Sequence, residues 1–162
     1  MKTRKFDPTK DYPLAQQRTD LVKTLSGVRF SEITLDHVVS GKIHPQEIRI
    51  SRETLEYQAQ VAEAHGRSQL AANFRRAAEL TRIPDQEVLR IYNALRPHQA
   101  TRETLIQMAS ELEKKYGAKL NAVFIREAAK VYQKRGFFDK TEQATEGRRD
   151  AETRRRGDAV TR

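Results

Sequence analysis

Residues 48–97 read IRISRETLEYQAQVAEAHGRSQLAANFRRAAELTRIPDQEVLRIYNALRP and carry three helices with the punctuation between them. Ser51 can cap a helix from Arg52 to His65, with Glu53 favourably placed in its first turn and Gly66 as its terminator. A second helix follows from about Ser68 to Thr81. Pro84 opens a third, which must close near Arg96 because Pro97 cannot continue it. The block contains no recognisable catalytic arrangement and reads as scaffold.

The same signals extend in both directions. Thr34 can cap LDHVVS, which Gly41 ends, and Pro45 can open a further turn through Ile48. Thr101 caps a helix that stops at Gly117, and a last helix runs from about Lys119 to Arg135 before Gly136. Leu105, Met108, Ala109, Leu112 and Tyr116 fall at i, i+3, i+4, i+7 and i+11, a core stripe. Leu120, Val123, Phe124, Ala128, Val131 and Tyr132 predict a similar core stripe on the last helix. Further apolar residues fall off the main stripes: Tyr57 and Val61, opposite Leu55, Ala59 and Ala62, then Leu89, Ile106 and Ile125. A second apolar face predicts a second surface to bury.

The expected fold class is therefore all-α, an irregular helical bundle over residues 28–138. No period of about 20 to 50 residues repeats, which excludes a solenoid array. Residues 1–27 hold Pro8, Pro13 and Gly27 without a sustained helical period, and predict an extended arm that gains order by lying on something. Residues 139–162 mix Glu, Arg, Asp, Thr and Gly with almost no large apolar side chain, so they predict a disordered tail.

A chain of 162 residues is most simply one domain, and with 37% apolar residues and a mean hydropathy of −0.81 its core is modest. A partner that shares the apolar surface fits that composition. The lack of cysteine excludes a disulfide framework, a thiolate metal site and a cysteine nucleophile, and agrees with a reducing, cytoplasmic setting. MKTRKFDPTKDYP is followed by no apolar signal region, and no run approaches the ~18 apolar residues of a spanning helix.

The formal net charge of +9 raises nucleic-acid binding as the alternative function. Its distribution weakens that reading: residues 1–10 carry +4 and −1, residues 11–138 carry +20 and −15, and residues 139–162 carry +7 and −6. In the tail, RRDAETRRR (148–156) is interrupted by acids and has no aromatic residue for base stacking.

Catalytic chemistry finds little to start from. His37, His44, His65 and His98 lack companions at ligand spacing; even His44 with Glu47 has no second histidine nearby. There is no phosphate-cradling glycine loop, no HExxH and no GxSxG. Arg75 and Arg76 in NFRRAAEL, with Arg67, Arg82 and Arg90, are the best binding cluster, because a planar guanidinium meets a carboxylate through two hydrogen bonds. The competing reading is ordinary surface pairing with neighbours such as Glu79.

From Asp11 to Gly136 a series of landmarks stands in order: DYPLA (11–15), EITLDHVVSGKI (32–43), LEYQAQVAE, NFRRAAEL and IYNALRP in the central block, TRETLIQMASELEKKYGAK (101–119) and FIREAAKVYQKRG (124–136). Together they resemble the small (gamma) subunit of adenosylcobalamin-dependent diol and glycerol dehydratases, and the wording of LEYQAQVAE and NAVFIREAAKVYQKR leans towards glycerol dehydratase. The resemblance implies a helical chain joined to a large barrel subunit and a medium subunit, with two heterotrimers pairing. It also implies that adenosylcobalamin lies between the large and medium subunits, and that substrate and metal ion sit in the barrel. The reaction so implied breaks a cobalt–carbon bond, abstracts a substrate hydrogen, moves a hydroxyl and loses water to leave an aldehyde. No catalytic, cofactor-binding or metal-binding position transfers to this chain. Some relatives carry a long N-terminal leader for microcompartment entry, and only about ten residues precede DYPLA here.

The expected contribution of the chain is contact surface. Its candidate interface residues are Tyr12 and Leu14 in the arm, then Tyr57, Val61, Arg75, Arg76, Leu89, Ile106 and Ile125, with the arm clasping the large subunit.

Overall fold

The computed structural model describes residues 4–138; the expected tail, 139–162, lies outside the described residues. Seven α-helices occur among the described residues: α1 (Leu14–Gln17), α2 (Leu35–Val39), α3 (Arg52–Ala64), α4 (Ser68–Leu80), α5 (Asp85–Ala94), α6 (Arg102–Tyr116) and α7 (Lys119–Arg135). There is no strand among them, only one isolated antiparallel bridge between Lys23 and Arg29. The chain is all-α, as its periodicity predicts.

Local hydrogen bonding explains the helix limits. Ser51 accepts from the Thr54 amide at 3.1 Å and Thr101 from the Thr104 amide at 3.0 Å, each satisfying an otherwise orphaned first-turn donor. Past α3, Gly66 takes φ +71°; its amide donates to Glu63 at 3.0 Å, and the Arg67 amide donates to Ala62 at 2.8 Å. That paired closure needs a left-handed residue, hence glycine. Pro45 starts a 3-10 turn over Pro45–Ile48.

The described residues divide into two compact units, 4–82 and 83–138. In the first, α3 and α4 form a helical hairpin around Ala59, Ala62 and Ala71, with Phe74 packed against them. The second unit has the same device. Helices α6 and α7 bury Leu105, Met108, Ala109 and Leu112 on one side and Ala118, Ala122, Ile125 and Ala129 on the other.

The α7 set falls at i, i+4, i+7 and i+11, and it corrects the sequence expectation for this helix. Leu120, Val123, Phe124 and Val131, predicted as core, are exposed, Val123 by 50%. Ile125, predicted off the core stripe, is 2% exposed. The small residues take the seam because helix backbones approach closely only where side chains are short, and the bulky residues are displaced to the outer face.

Beyond α7 the chain folds back on its own unit. The His98 amide donates to Phe137 O at 2.8 Å, with His98 in a left-handed conformation at φ +63°. Its Nδ1 lies 3.1 Å from Phe138 O, and the Tyr132 hydroxyl donates to the Leu95 carbonyl. Phe138 is buried as a result.

The alanine seam can be tested directly. Ala122→Leu, at a fully buried position, should destabilise the chain by about 1–3 kcal/mol through overpacking. Val123→Ala, one residue along, should change stability by less than about 0.5 kcal/mol, as exposed substitutions do. Thermal melts by circular dichroism compare the two, and equal losses would refute this assignment of faces.

Candidate docking surfaces

The nine residues expected at an interface separate by burial. Leu14, Val61 and Ile125 are buried within the chain itself. Leu14 begins α1, Val61 lies beside the Ala59–Ala62 turn of α3, and Ile125 fills the α7 seam, so their apolar area is already covered. Tyr12 and Leu89 are exposed, Leu89 by 60%. Tyr57, Arg75, Arg76 and Ile106 are half-buried.

Tyr57 owes its partial cover to the arm. Its ring centroid lies 4.6 Å from that of Phe6, tilted by 50°. Part of the arm therefore takes its order from α3 of its own chain.

Two of the arginines, Arg75 and Arg90, staple helices. Arg75 reaches Glu63 through both Nη atoms at 3.1 and 2.6 Å, and its Nε meets Glu56 at 3.5 Å, tying α4 to α3. The bidentate guanidinium holds the Glu63 carboxyl below the usual carboxylate range. Arg90 joins Glu87 on its own helix to Glu111 of α6, at 2.5 and 2.8 Å. Arg76 bonds the Asn73 side chain. Arg82 lines a polar hollow of about 330 Å³ with Arg52, Glu53, Glu56 and Tyr57. Arg67 lines a more apolar one of about 290 Å³ with Tyr12, Val61, Leu70 and Phe74.

Sequence reasoning missed two features. The first is a buried ion network in the arm. Arg18 donates to Asp11 at 2.9 Å, to both Asp20 oxygens at 2.9 Å and to the Arg4 carbonyl at 3.0 Å; Arg4 also bonds Asp11. Asp11 and Arg18 are almost fully buried. The Asp7 amide, then Arg4 and Arg18, hold the Asp11 carboxyl below its ordinary value against the opposing effect of burial, and Arg18 does the same for Asp20. The only sequence trace was a carboxylate and an arginine seven residues apart in DYPLAQQR.

The second is exposed apolar surface outside the long helices. Leu35 and Val39, four apart on α2, are 77% and 79% exposed. Leu25, Phe30, Ile48 and Ile50 are exposed around them in sequence. In the second unit Tyr92 joins Leu89 on one face of α5. Leu35 and Val39 were visible only as an i, i+4 pair in LDHVVS.

Among the described residues no group of three His, Asp or Glu side chains could hold a metal ion, and no helix is long and apolar enough to cross a membrane.

Residues 8–138 match the dehydratase small-subunit family. The propanediol dehydratase small subunit of Salmonella typhimurium is 49% identical over 125 residues, covering 77% of this chain and 72% of that one. Its counterpart from Citrobacter freundii is 48% identical over 125 residues, covering 77% and 73%. Both carry the propanediol name, not the glycerol one towards which the wording of LEYQAQVAE leans.

The arm network sets a pH dependence. The Asp11 and Asp20 carboxyls have depressed folded-state values, so the unfolded chain binds more protons near and below 3.8, and stability rises with pH there. Their contribution is complete above the unfolded value and is lost as pH falls through the folded ones. Hydrogen exchange of the residue 4–20 amides should show protection that drops on acidification below about pH 4. Asp11→Asn should remove much of that protection already at pH 7; an arm equally protected in both proteins would show the network to be incidental.

Proposed function

The chain belongs to the dehydratase small-subunit family, and on that premise we propose that it is the non-catalytic small subunit of a coenzyme B12-dependent diol or glycerol dehydratase. The complex converts 1,2-diols or glycerol to aldehydes as a hydro-lyase, and this chain contributes surface to it. The carrying observation is the match along residues 8–138 together with 49% identity to a named propanediol dehydratase small subunit. The alternative of a basic nucleic-acid-binding protein has no such support. Some of the positive charge is committed locally, as in the pairs of Arg75 with Glu63 and Arg90 with Glu87.

The partners are the large and medium dehydratase subunits, in a dimer of heterotrimers, with this chain seated on the large one. Adenosylcobalamin lies between those two subunits and not on this chain. A cytoplasmic setting fits this role.

Tyr12, Leu89 and the half-buried Tyr57, Ile106, Arg75 and Arg76 remain candidates for contact in the complex. Leu14, Val61 and Ile125 serve the chain's own core.

Co-expression with the large and medium subunits, with a tag on one of those, should carry this chain through purification. The isolated chain supplied with coenzyme should not dehydrate propanediol or glycerol. Active enzyme assembling while this chain stays free would sink the proposal. Ile125→Asp should unfold the isolated chain, since a buried unpaired charge costs on the order of 3–5 kcal/mol. Leu89→Asp should leave helicity intact and show any loss only in co-purification.

A further inference from the structure

Tyr57, Val61 and His65 stand at i, i+4 and i+8 and form one stripe of α3, on the side opposite Leu55 and Ala59. Two aromatic residues of the arm meet this stripe. Phe6 packs on Tyr57 with ring centroids 4.6 Å apart. Tyr12 lines the hollow of about 290 Å³ together with Val61, His65, Leu70 and Phe74.

One carboxylate fixes both aromatic anchors. Asp11 directly precedes Tyr12 and is 1% exposed. It accepts from the Asp7 amide at 2.8 Å, from Arg18 at 2.9 Å and from Arg4. Residues 4 and 7 flank Phe6, so the group beside Tyr12 also holds the chain on either side of Phe6. The Asp11 amide closes the turn between them by donating to Asp7 O at 2.9 Å. Arg18 is held in turn by both Asp20 oxygens at 2.9 Å and donates to the Arg4 carbonyl at 3.0 Å.

The apolar anchors alone are weak. Phe6 is half-buried and Tyr12 is 52% exposed. Ordering residues 4–18 costs more entropy than these rings and the buried Leu14 return, so the place of the arm depends on its polar clasp. Neither Asp11 nor Arg18 can stay buried without the other, and loss of one member opens the clasp as a unit. The hairpin beneath is independent of it. Ala59, Ala62 and Ala71 form its seam and Arg75 ties it to Glu63, none of them touching the clasp.

We propose that residues 4–18 are an intrachain strap over the outer stripe of α3, with Asp11 and Arg18 as its catch. Closed, the strap covers Tyr57 and shades Val61. Opened, it bares an apolar groove of Tyr57, Val61, Leu70 and Phe74 while the α3–α4 hairpin persists. The strap and the groove belong to one chain, so this inference stands apart from the subunit role.

The chain contains no cysteine, and Val61 is 9% exposed, so Val61→Cys places a single thiol under the strap. Adding Asp11→Asn to that full-length chain should raise the rate of thiol reaction with a maleimide about tenfold or more, with the far-ultraviolet circular dichroism spectrum unchanged. Phe6→Ala, which leaves the clasp intact, should raise the rate by less. Glu113→Gln, which removes a surface pair with Arg126 in the other unit, should leave it unchanged. An unaltered rate in Asp11→Asn, or an equal rise in Glu113→Gln, would overturn the strap. Loss of helix in Asp11→Asn would overturn it too, by making the clasp part of the hairpin's own core.

Discussion

Close approach between paired helices governs this structure, and alanine makes it possible. Ala59, Ala62 and Ala71 line the α3–α4 hairpin; Ala109, Ala118, Ala122 and Ala129 line α6–α7. A short side chain on the seam brings the two backbones together and gains dispersion contacts that larger residues would prevent by spacing them apart. The gain per buried residue is smaller than for leucine, because hydrophobic stabilisation follows apolar area. Side-chain staples across the same pairs, Arg75 to Glu63 and Arg126 to Glu113 at 2.6 Å each, add little at the surface, where solvent screens them. The consequence is a division of labour in which small residues share the helix seams with a few large ones such as Leu105, Leu112 and Ile125, while many other large apolar side chains are left outside.

That division explains what could and could not be read from the chain. Caps and stops are decided within four or five residues, so Ser51, Thr101, Gly66 and Gly117 mark the helix limits to within a residue or two. Which face turns inward is decided by the partner helix. A binary hydrophobic pattern ranks Leu120, Val123 and Phe124 above Ala118, Ala122 and Ala129, and so selects the wrong face of α7. Ile125 appears off the stripe for the same reason, although it is the one bulky apolar residue of the buried α7 set. The arm poses another difficulty. Asp11 and Arg18 meet only because α1 turns the chain between them, a relation with no period to detect.

The arm and the two hairpins gain their internal order from different sources. Hairpins rest on apolar contact between regular helices, whereas the arm rests on a buried carboxylate–guanidinium network with Phe6 laid on Tyr57. A buried ion pair is a poor source of net stability, since desolvation offsets much of its attraction, but it permits few alternative arrangements. Asp11 accepts from Arg4, Arg18 and the Asp7 amide together, so shifting the arm would strand more than one charge. Arrangement, more than added stability, is what such a network supplies.

A chain arranged this way is better suited to being covered than to acting alone. What the structure does hold in place is apolar surface, most of all at Leu35 and Val39, where a five-residue helix fixed by turns gives the two side chains nothing of its own to lie against. Keeping such groups in water is tolerable for single residues but unfavourable for a row of them, and a binding partner removes that penalty. Membership of a family of small subunits supplies the partner that this distribution of side chains calls for.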